Sequence, residues 1–334
     1  MQTSGPDSRA LLRGGSKSFY AASFLLPRAV RDHATALYAF CRLADDAIDF
    51  SRDKHAALAE FSARLDAVYA GTPHPADTAF AVTVQECKIP KTLPAALLEG
   101  FQWDAENRHY ENFEDLLDYA ARVAGSVGVM MALIMGARDA ATLARAADLG
   151  AAMQLTNIAR DIGEDAIANR VFLPQTWLHE AGVTTLDAPS PELASVTKRL
   201  LDEADILYKR AASGIARLPL ACRCGIAAAS RFYAAIGTEI AGQNYDSVSQ
   251  RAYVPAPRKR RLAALAIIDA LRPTAQTNAP ALPATAYLVQ AAAITEPKSG
   301  LIWVLDLFDR LERTQRTQAL NTPSCQDKLA STPF

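Results

Sequence analysis

Tyr38-Ala39-Phe40-Cys41-Arg42-Leu43-Ala44-Asp45-Asp46-Ala47-Ile48-Asp49 sets two aspartates four residues apart inside an apolar run. The spacing recurs in Asp161-Ile162-Gly163-Glu164-Asp165, within the run that starts near Leu143. On a helix, residues i and i+4 share a face, so Asp45 projects with Asp49 and Asp161 with Asp165. Asn157 lies one turn before Asp161, and Gln154 sits on nearly the same face. Tyr38 and Arg42 extend the first stripe in the same way. The intervening residues, Leu37, Phe40, Ala44 and Ile48 in one copy and Leu155, Ile158 and Ile162 in the other, are those of a buried helix.

The same periodicity continues outward from both stripes. Alanine is abundant, period-two alternation of β-branched residues is nearly absent, and apolar residues recur at three- and four-residue spacing. The pattern predicts helices at about 30–50, 54–70, 76–86, 92–105, 113–136, 139–165, 191–217, 222–245, 257–271 and 299–317. Breaks fall at Gly71-Thr72-Pro73, Ile89-Pro90, Leu173-Pro174, Pro189-Ser190-Pro191 and the Pro/Ala/Thr stretch 273–285. None before residue 272 is long enough for a linker, so the expectation is a single large all-α domain. It spans 14–272, preceded by an arm (1–13) and followed by a Pro/Ala-rich segment, a helix and a frayed tail (273–334).

Composition excludes several classes. Half of the 334 residues are hydrophobic and 21% are charged, so the chain can bury a large core and is not intrinsically disordered. With 35 basic against 36 acidic residues, it lacks the basic excess of a general nucleic-acid binder. The five cysteines (Cys41, Cys87, Cys222, Cys224, Cys325) have neither disulfide-framework nor zinc spacing and fit reduced cytosolic thiols. Met1 to Leu12 does not read as a signal peptide. The apolar run Val123 to Ala137 is short for a membrane span and reads as a buried helix.

Like charges four residues apart cost a helix a few tenths of a kcal/mol, and this chain incurs that cost twice. Carboxylates in apolar surroundings need a cation to offset their desolvation. A cation-binding reading is therefore preferred to a solvated helix face. Carboxylate and amide oxygens without nearby His or Cys suit Mg2+ or Mn2+. Magnesium completes its shell with substrate phosphates, so two acidic stripes point to ions bridging a diphosphate. Arg42 and Arg160 are placed to offset phosphate charge or, alternatively, to make intrahelical salt bridges.

The two stretches, Tyr38–Asp49 and Gln154–Asp165 followed by Arg170-Val171-Phe172-Leu173-Pro174, resemble the aspartate-rich motifs of squalene and phytoene synthases. Ser16-Lys17-Ser18-Phe19, Val123-Ala124-Gly125-Ser126-Val127-Gly128, Tyr245-Asp246-Ser247-Val248 and Arg251-Ala252-Tyr253-Val254 extend the resemblance, in the family's order, over about residues 14–271. Gly15 departs from relatives that carry His there. The resemblance implies the all-α isoprenoid-synthase fold around a central cavity, with the stripes facing each other across its mouth. It implies that Asp45, Asp49, Asn157, Asp161 and Asp165 hold Mg2+ ions. Ser16, Lys17, Ser18, Phe19, Tyr38, Arg42, Gln154, Arg160, Tyr245 and Arg251 would contact substrate, and the four stripe aspartates with Arg42 and Arg160 would carry catalysis.

The implied reaction is head-to-head coupling of two allylic diphosphates through a cyclopropyl diphosphate. The motif wording is nearest to bacterial phytoene synthases, which implies two geranylgeranyl diphosphates, a C40 triene for carotenoid biosynthesis and no NADPH. The runner-up is a C30 synthase acting on two farnesyl diphosphates; a non-catalytic assembly factor of the same fold is the alternative from another class. Gly128, Ala132 and Gly136 either open room for a C20 chain or let two helices approach closely. The basic run Arg258–Arg261 is either a solvated helix start or a seat on anionic lipid. The expected location is cytoplasmic, with peripheral contact to the inner face of the membrane and to downstream carotenoid enzymes.

Overall fold

The computed structural model describes residues 22–271 and 279–293, and among these no strand occurs. The helix α1 (Arg28–Asp49) buries Ala34, Leu37, Phe40, Ala44 and Ile48 along one stripe. α2 (Lys54–Ala70) starts where the Asp53 side chain accepts from the Ala56 amide at 2.9 Å. It stops at Gly71, whose φ of +81° suits a residue without Cβ. α3 (Thr78–Glu86) and α4 (Thr92–Ala105) return against α1, with Phe40 stacked on Phe80 at 4.1 Å between ring centroids.

α5 (Phe113–Ala120) opens with a reciprocal capping box between Asn112 and Asp115. A π turn (Ala121–Gly125) joins it to α6 (Ser126–Ile134) without a break. The expected helix at 113–136 is thus one rod with an extra residue wound into its middle. It ends two residues early, at Ile134, and Gly136 (φ +87°) follows as the left-handed residue that closes its C-terminus. The rod Phe113–Ile134 is long and apolar enough to cross a bilayer, but 61% of its most apolar window is buried among neighbouring helices.

α7 (Ala140–Ile167) is the central strut, capped by Asp139 on the Thr142 amide. Its first half, with Leu143 and Ala147, belongs to a core built with α1 to α4 and α6. Its second half, with Leu155, Ile158 and Ile162, belongs to a second core shared with α8 (Gln175–Ala181), α9 (Pro191–Ile215) and α10 (Leu220–Gly242). Fully burying each such side chain contributes roughly 1.5–3 kcal/mol. α11 (Ala256–Leu271) lies on α10, and α12 (Pro283–Ala292) packs on α7.

α8 and α12 fall where the periodicity predicts no helix. α8 is seven residues long, too short for a 3.6-residue period to register. α12 lies in the Pro-rich stretch, but Pro283 occupies its first position, where no amide donor is needed. The helix expected at 299–317, the arm 1–13 and the tail from 321 lie outside the described residues.

α6 and α7 approach closely. A Cβ on Gly128 would stand 2.2 Å from the Ala146 carbonyl oxygen, and one on Gly150 2.1 Å from that of Ala124. Gly128 and Ala132 also line the cavity described next, so at Gly128 the close helix approach and the cavity wall coincide. Gly136 belongs to neither.

Candidate active site

A cavity of about 240 Å³ runs between α1, the π turn, α6, α7, α9 and α10. Leu37, Val127, Met131, Leu149, Met153 and Ile226 make its walls apolar, while Tyr38, Cys41, Gln154, Asn157 and Tyr233 supply polar groups toward one end. The acidic stripes continue directly from that end. Asp45 follows Cys41 by one turn of α1, and Asp161 follows Asn157 by one turn of α7.

Arg170 joins the two stripes. Its Nη1 donates to Asp49 Oδ1 at 3.4 Å, and its Nε lies 3.7 Å from Asp165 Oδ1. Asp49 and Asp165 come from helices more than a hundred residues apart in sequence, so this meeting is a product of packing alone. Asn169, at φ +56°, makes the turn that points Arg170 back onto α7.

The other arginines sit on single stripes. Arg42 contacts Asp46 at 2.6 Å and Asp45 at 3.2 Å on its own helix, and Arg160 grips both oxygens of Asp161 at 2.7 and 2.6 Å. Arg251 also reaches Asp161, at 2.8 Å, and Glu164 at 3.5 Å. Arg251 arrives there because Gly163 carries no side chain. Val248 lies where a Gly163 Cβ would be, and the Gly163 amide donates to the Ser247 carbonyl at 3.0 Å.

Electrostatics separate the carboxylates. Burial and the neighbouring charge of Asp49 push Asp45 up to about 6, and burial pushes Asp165 up to about 7 despite Arg170. Burial also opposes ionisation of Asp161, but the Arg160 hydrogen bond and the charges of Arg160 and Arg251 outweigh it, so Asp161 lies below the usual range. Tyr38 is raised to about 12 by burial. Burial thus makes Asp45 and Asp165 costly to ionise, while Asp161 is held ionised by its arginines.

Of the residues expected from the sequence, Asp45, Asp49, Asp161, Asp165, Asn157, Gln154, Tyr38, Arg42, Arg160 and Arg251 gather at or beside the cavity mouth. Tyr245 does not line the cavity. It takes a left-handed turn (φ +60°) and packs against the second core. Ser16, Lys17, Ser18 and Phe19 lie outside the described residues.

The structure adds Asp104, Tyr119, Arg170 and Tyr233. Asp104 Oδ2 accepts from the Tyr119 hydroxyl at 2.9 Å, while its buried Oδ1 has no hydrogen-bond partner among the described residues. Burial raises Asp104 to about 7, with the Tyr119 hydrogen bond and Arg170 opposing and Asp49 and Asp45 adding to the shift, which places it beside the first stripe. Arg170 stands in a quoted motif but on no helical face; Asp104 and Tyr119 carry no spacing signal.

Among the described residues no three His, Cys, Asp or Glu side chains converge into a ready-made metal cluster. The oxygen donors stand instead as facing pairs across a gap flanked by guanidinium groups. A helical protein with such a mouth above an apolar cavity is built to hold a polyanion attached to a long hydrocarbon.

Comparison with known proteins agrees with that class. The chain belongs to the squalene/phytoene synthase family, which it matches over residues 12–260. It is 49% identical to the phytoene synthase of Rhodobacter capsulatus, over 85% of this chain and 88% of that one. It is 46% identical to that of Cereibacter sphaeroides, over 93% and 95%. A ligand-bound dehydrosqualene synthase crystal structure shares the fold, with a TM-score of 0.73 and 29% identity, covering 78% of this chain and 94% of the other.

Proposed function

We infer that this protein is a phytoene synthase: a prenyltransferase that condenses two geranylgeranyl diphosphates head to head and supplies the C40 triene of carotenoid biosynthesis. The observation that carries the reading is the convergence of both acidic stripes, through Arg170, on one apolar cavity.

The donor set fits divalent cations. It is all oxygen, and burial makes Asp45 and Asp165 costly to ionise, a cost that a bound cation offsets. Asp45, Asp49, Asn157, Asp161 and Asp165 would hold Mg2+, with Mn2+ as a substitute. When bound, the ions supply Lewis acidity and charge neutralisation at the diphosphate.

Arg42, Arg160, Arg170 and Arg251 bring guanidinium donors to the same mouth, where they stabilise the charge that develops on the departing diphosphate. The allylic cation left behind faces mainly apolar walls, and the second chain's double bond attacks it to give the cyclopropyl diphosphate. A second ionisation, rearrangement and loss of a proton complete the triene. Tyr38 and Tyr233 offer ring faces to the cationic centres, while Leu37, Met131 and Leu149 exclude the water that would quench them. No hydride donor enters this sequence.

The test is incubation with geranylgeranyl diphosphate and, in parallel, farnesyl diphosphate, with Mg2+ and without NADPH, products being read by mass spectrometry. A C40 triene from the C20 substrate is expected. C30 products alone would transfer the reading to a dehydrosqualene-type synthase. Silence from both substrates in folded protein, unaltered in Asp45→Ala and Asp161→Ala, would favour an assembly factor.

The enzyme is also proposed to work at the cytoplasmic face of the membrane. α11 turns its small residues inward, with Ala266 and Ala270 buried, and exposes Ile267, Ile268 and Leu271. Arg260 and Arg261 are exposed at the start of the same helix. This suits an interfacial helix on anionic lipid. Co-sedimentation with anionic liposomes, lost in an Ile267→Ser/Leu271→Ser variant, is the expected result; equal binding by that variant would remove α11 from the interface.

A further inference from the structure

One end of the cavity is lined by a buried arginine. Arg145, 1% exposed, lines the cavity together with Thr142, both lying toward the N-terminal end of α7 and away from the acidic stripes. Its Nε lies 3.0 Å from Asp148 Oδ2, and its Nη2 donates to the Pro280 carbonyl at 3.1 Å. Arg210, from α9, holds the same two acceptors, Asp148 at 3.1 Å and Pro280 at 3.0 Å. Arg145 Nη1 and the Thr142 hydroxyl are buried without a hydrogen-bond partner among the described residues.

Pro280 lies beyond residue 260, where the family match ends. The segment 279–282 is therefore clasped from outside that match onto a floor residue inside it, and α12 anchors the clasp through Leu288, which is fully buried.

Depth gives the clasp its meaning. Twelve residues of α7 separate Arg145 from Asn157 at the polar end, or about 18 Å at 1.5 Å per residue. An extended isoprene unit spans roughly 5 Å, given C–C bonds of about 1.5 Å. Four units reach the floor, three stop short of it, and a fifth would have to displace a guanidinium held by two partners.

We propose that Arg145, clasped by Asp148 and the Pro280 carbonyl, is the ruler that limits substrate chains to four isoprene units. Arg145 is here a specificity-determining residue with no part in ionisation, and the proposal rests on the prenyltransferase reading above.

The test uses Arg145→Ala in the full-length protein. The substitution leaves Asp148 and Pro280 paired with Arg210, so no buried charge is orphaned. Kinetics are measured with C15, C20 and C25 diphosphates, and folding is checked by thermal melting. The expected result is a rise of tenfold or more in the C25-to-C20 ratio of kcat/KM, with a C50 product by mass spectrometry and an unchanged C15-to-C20 ratio. Arg210→Met, which leaves Asp148 and the Pro280 carbonyl to Arg145 alone, is expected to keep the C25-to-C20 ratio within twofold of the parent. Folded Arg145→Ala whose C25-to-C20 ratio stays within twofold of the parent would overturn the ruler while leaving the prenyltransferase reading intact. A parent enzyme that couples none of the three substrates would instead overturn that reading.

Discussion

Arg170 stands between Asp49 and Asp165, 3.4 Å from the first and 3.7 Å from the second. It is the cation through which the last turn of α1 meets the last turn of α7. Neither aspartate is strongly gripped at these distances, so the arginine is free to re-aim when a polyanion enters. Asp161, by contrast, is held by Arg160 and Arg251 at 2.6–2.8 Å. At the mouth, then, Asp161 is tightly paired while Asp49 and Asp165 are loosely held.

Replacing Arg170 by Met keeps its length and removes its charge. We expect kcat/KM to fall about 100-fold, near 2.7 kcal/mol of transition-state stabilisation. Far-ultraviolet circular dichroism should be unchanged, because the side chain is part-exposed and its pairs are long. A loss below threefold would exclude Arg170 from the site.

The pH dependence follows from the raised carboxyl groups. Between the ordinary carboxylate value of 3.8 and the folded values of about 6 for Asp45 and about 7 for Asp165, the folded protein binds more protons than the unfolded chain. Metal-free stability should therefore fall as pH rises through that window and level off above it. A divalent cation supplies the missing counter-charge, so the gain in Tm on adding Mg2+ should be larger at pH 8 than at pH 5.5. Differential scanning calorimetry at both values checks this, and an equal gain at each would contradict it.

Asp165→Asn should separate stability from activity. The amide removes a buried negative charge and should raise metal-free stability at pH 8 by about 1 kcal/mol, while product formation falls by orders of magnitude. Chemical denaturation and a product assay on the same preparation read both effects.

Tyr119→Phe withdraws the hydroxyl from Asp104, whose other oxygen already lacks a partner. Leaving the buried carboxyl without its donor should cost about 1–3 kcal/mol. Pairing it with Asp104→Leu tests the coupling: the double variant should be less destabilised than the sum of the singles, as measured by urea unfolding.

Gly128→Ala forces a methyl group to within 2.2 Å of the Ala146 carbonyl oxygen. Backbone cannot yield as a side-chain end does, so α6 and α7 must separate, at a cost of about 1–3 kcal/mol. Gly136→Ala strains a left-handed cap but meets no atom within 4 Å. Its melting temperature should fall less than that of Gly128→Ala.

Much of the molecule is legible before folding. Helical spacing alone locates α1, α2, α4, α7 and α9, because each is long enough for its buried stripe to repeat several times. The same spacing puts Asp45 beside Asp49 and Asp161 beside Asp165, since i and i+4 neighbours are fixed by helix geometry whatever surrounds them. α8 and α12 escape because short helices owe their existence to the surfaces that cover them. The π turn escapes because a one-residue insertion leaves the apolar pattern on either side unchanged.

What crosses between elements was decided by tertiary structure. Asp104 lies near the end of the helix predicted at 92–105 and becomes a buried carboxyl beside the first acidic stripe, bonded to Tyr119 of α5. Arg170 reads as a loop cation and becomes the bridge between helices α1 and α7. Arg145 reads as one more charge on an amphipathic helix, yet it ends the cavity because Asp148, Arg210 and the Pro280 carbonyl surround it. Local periodicity records which residues share a face. It carries no information about what that face meets, because long-range contacts depend on packing summed over the whole chain.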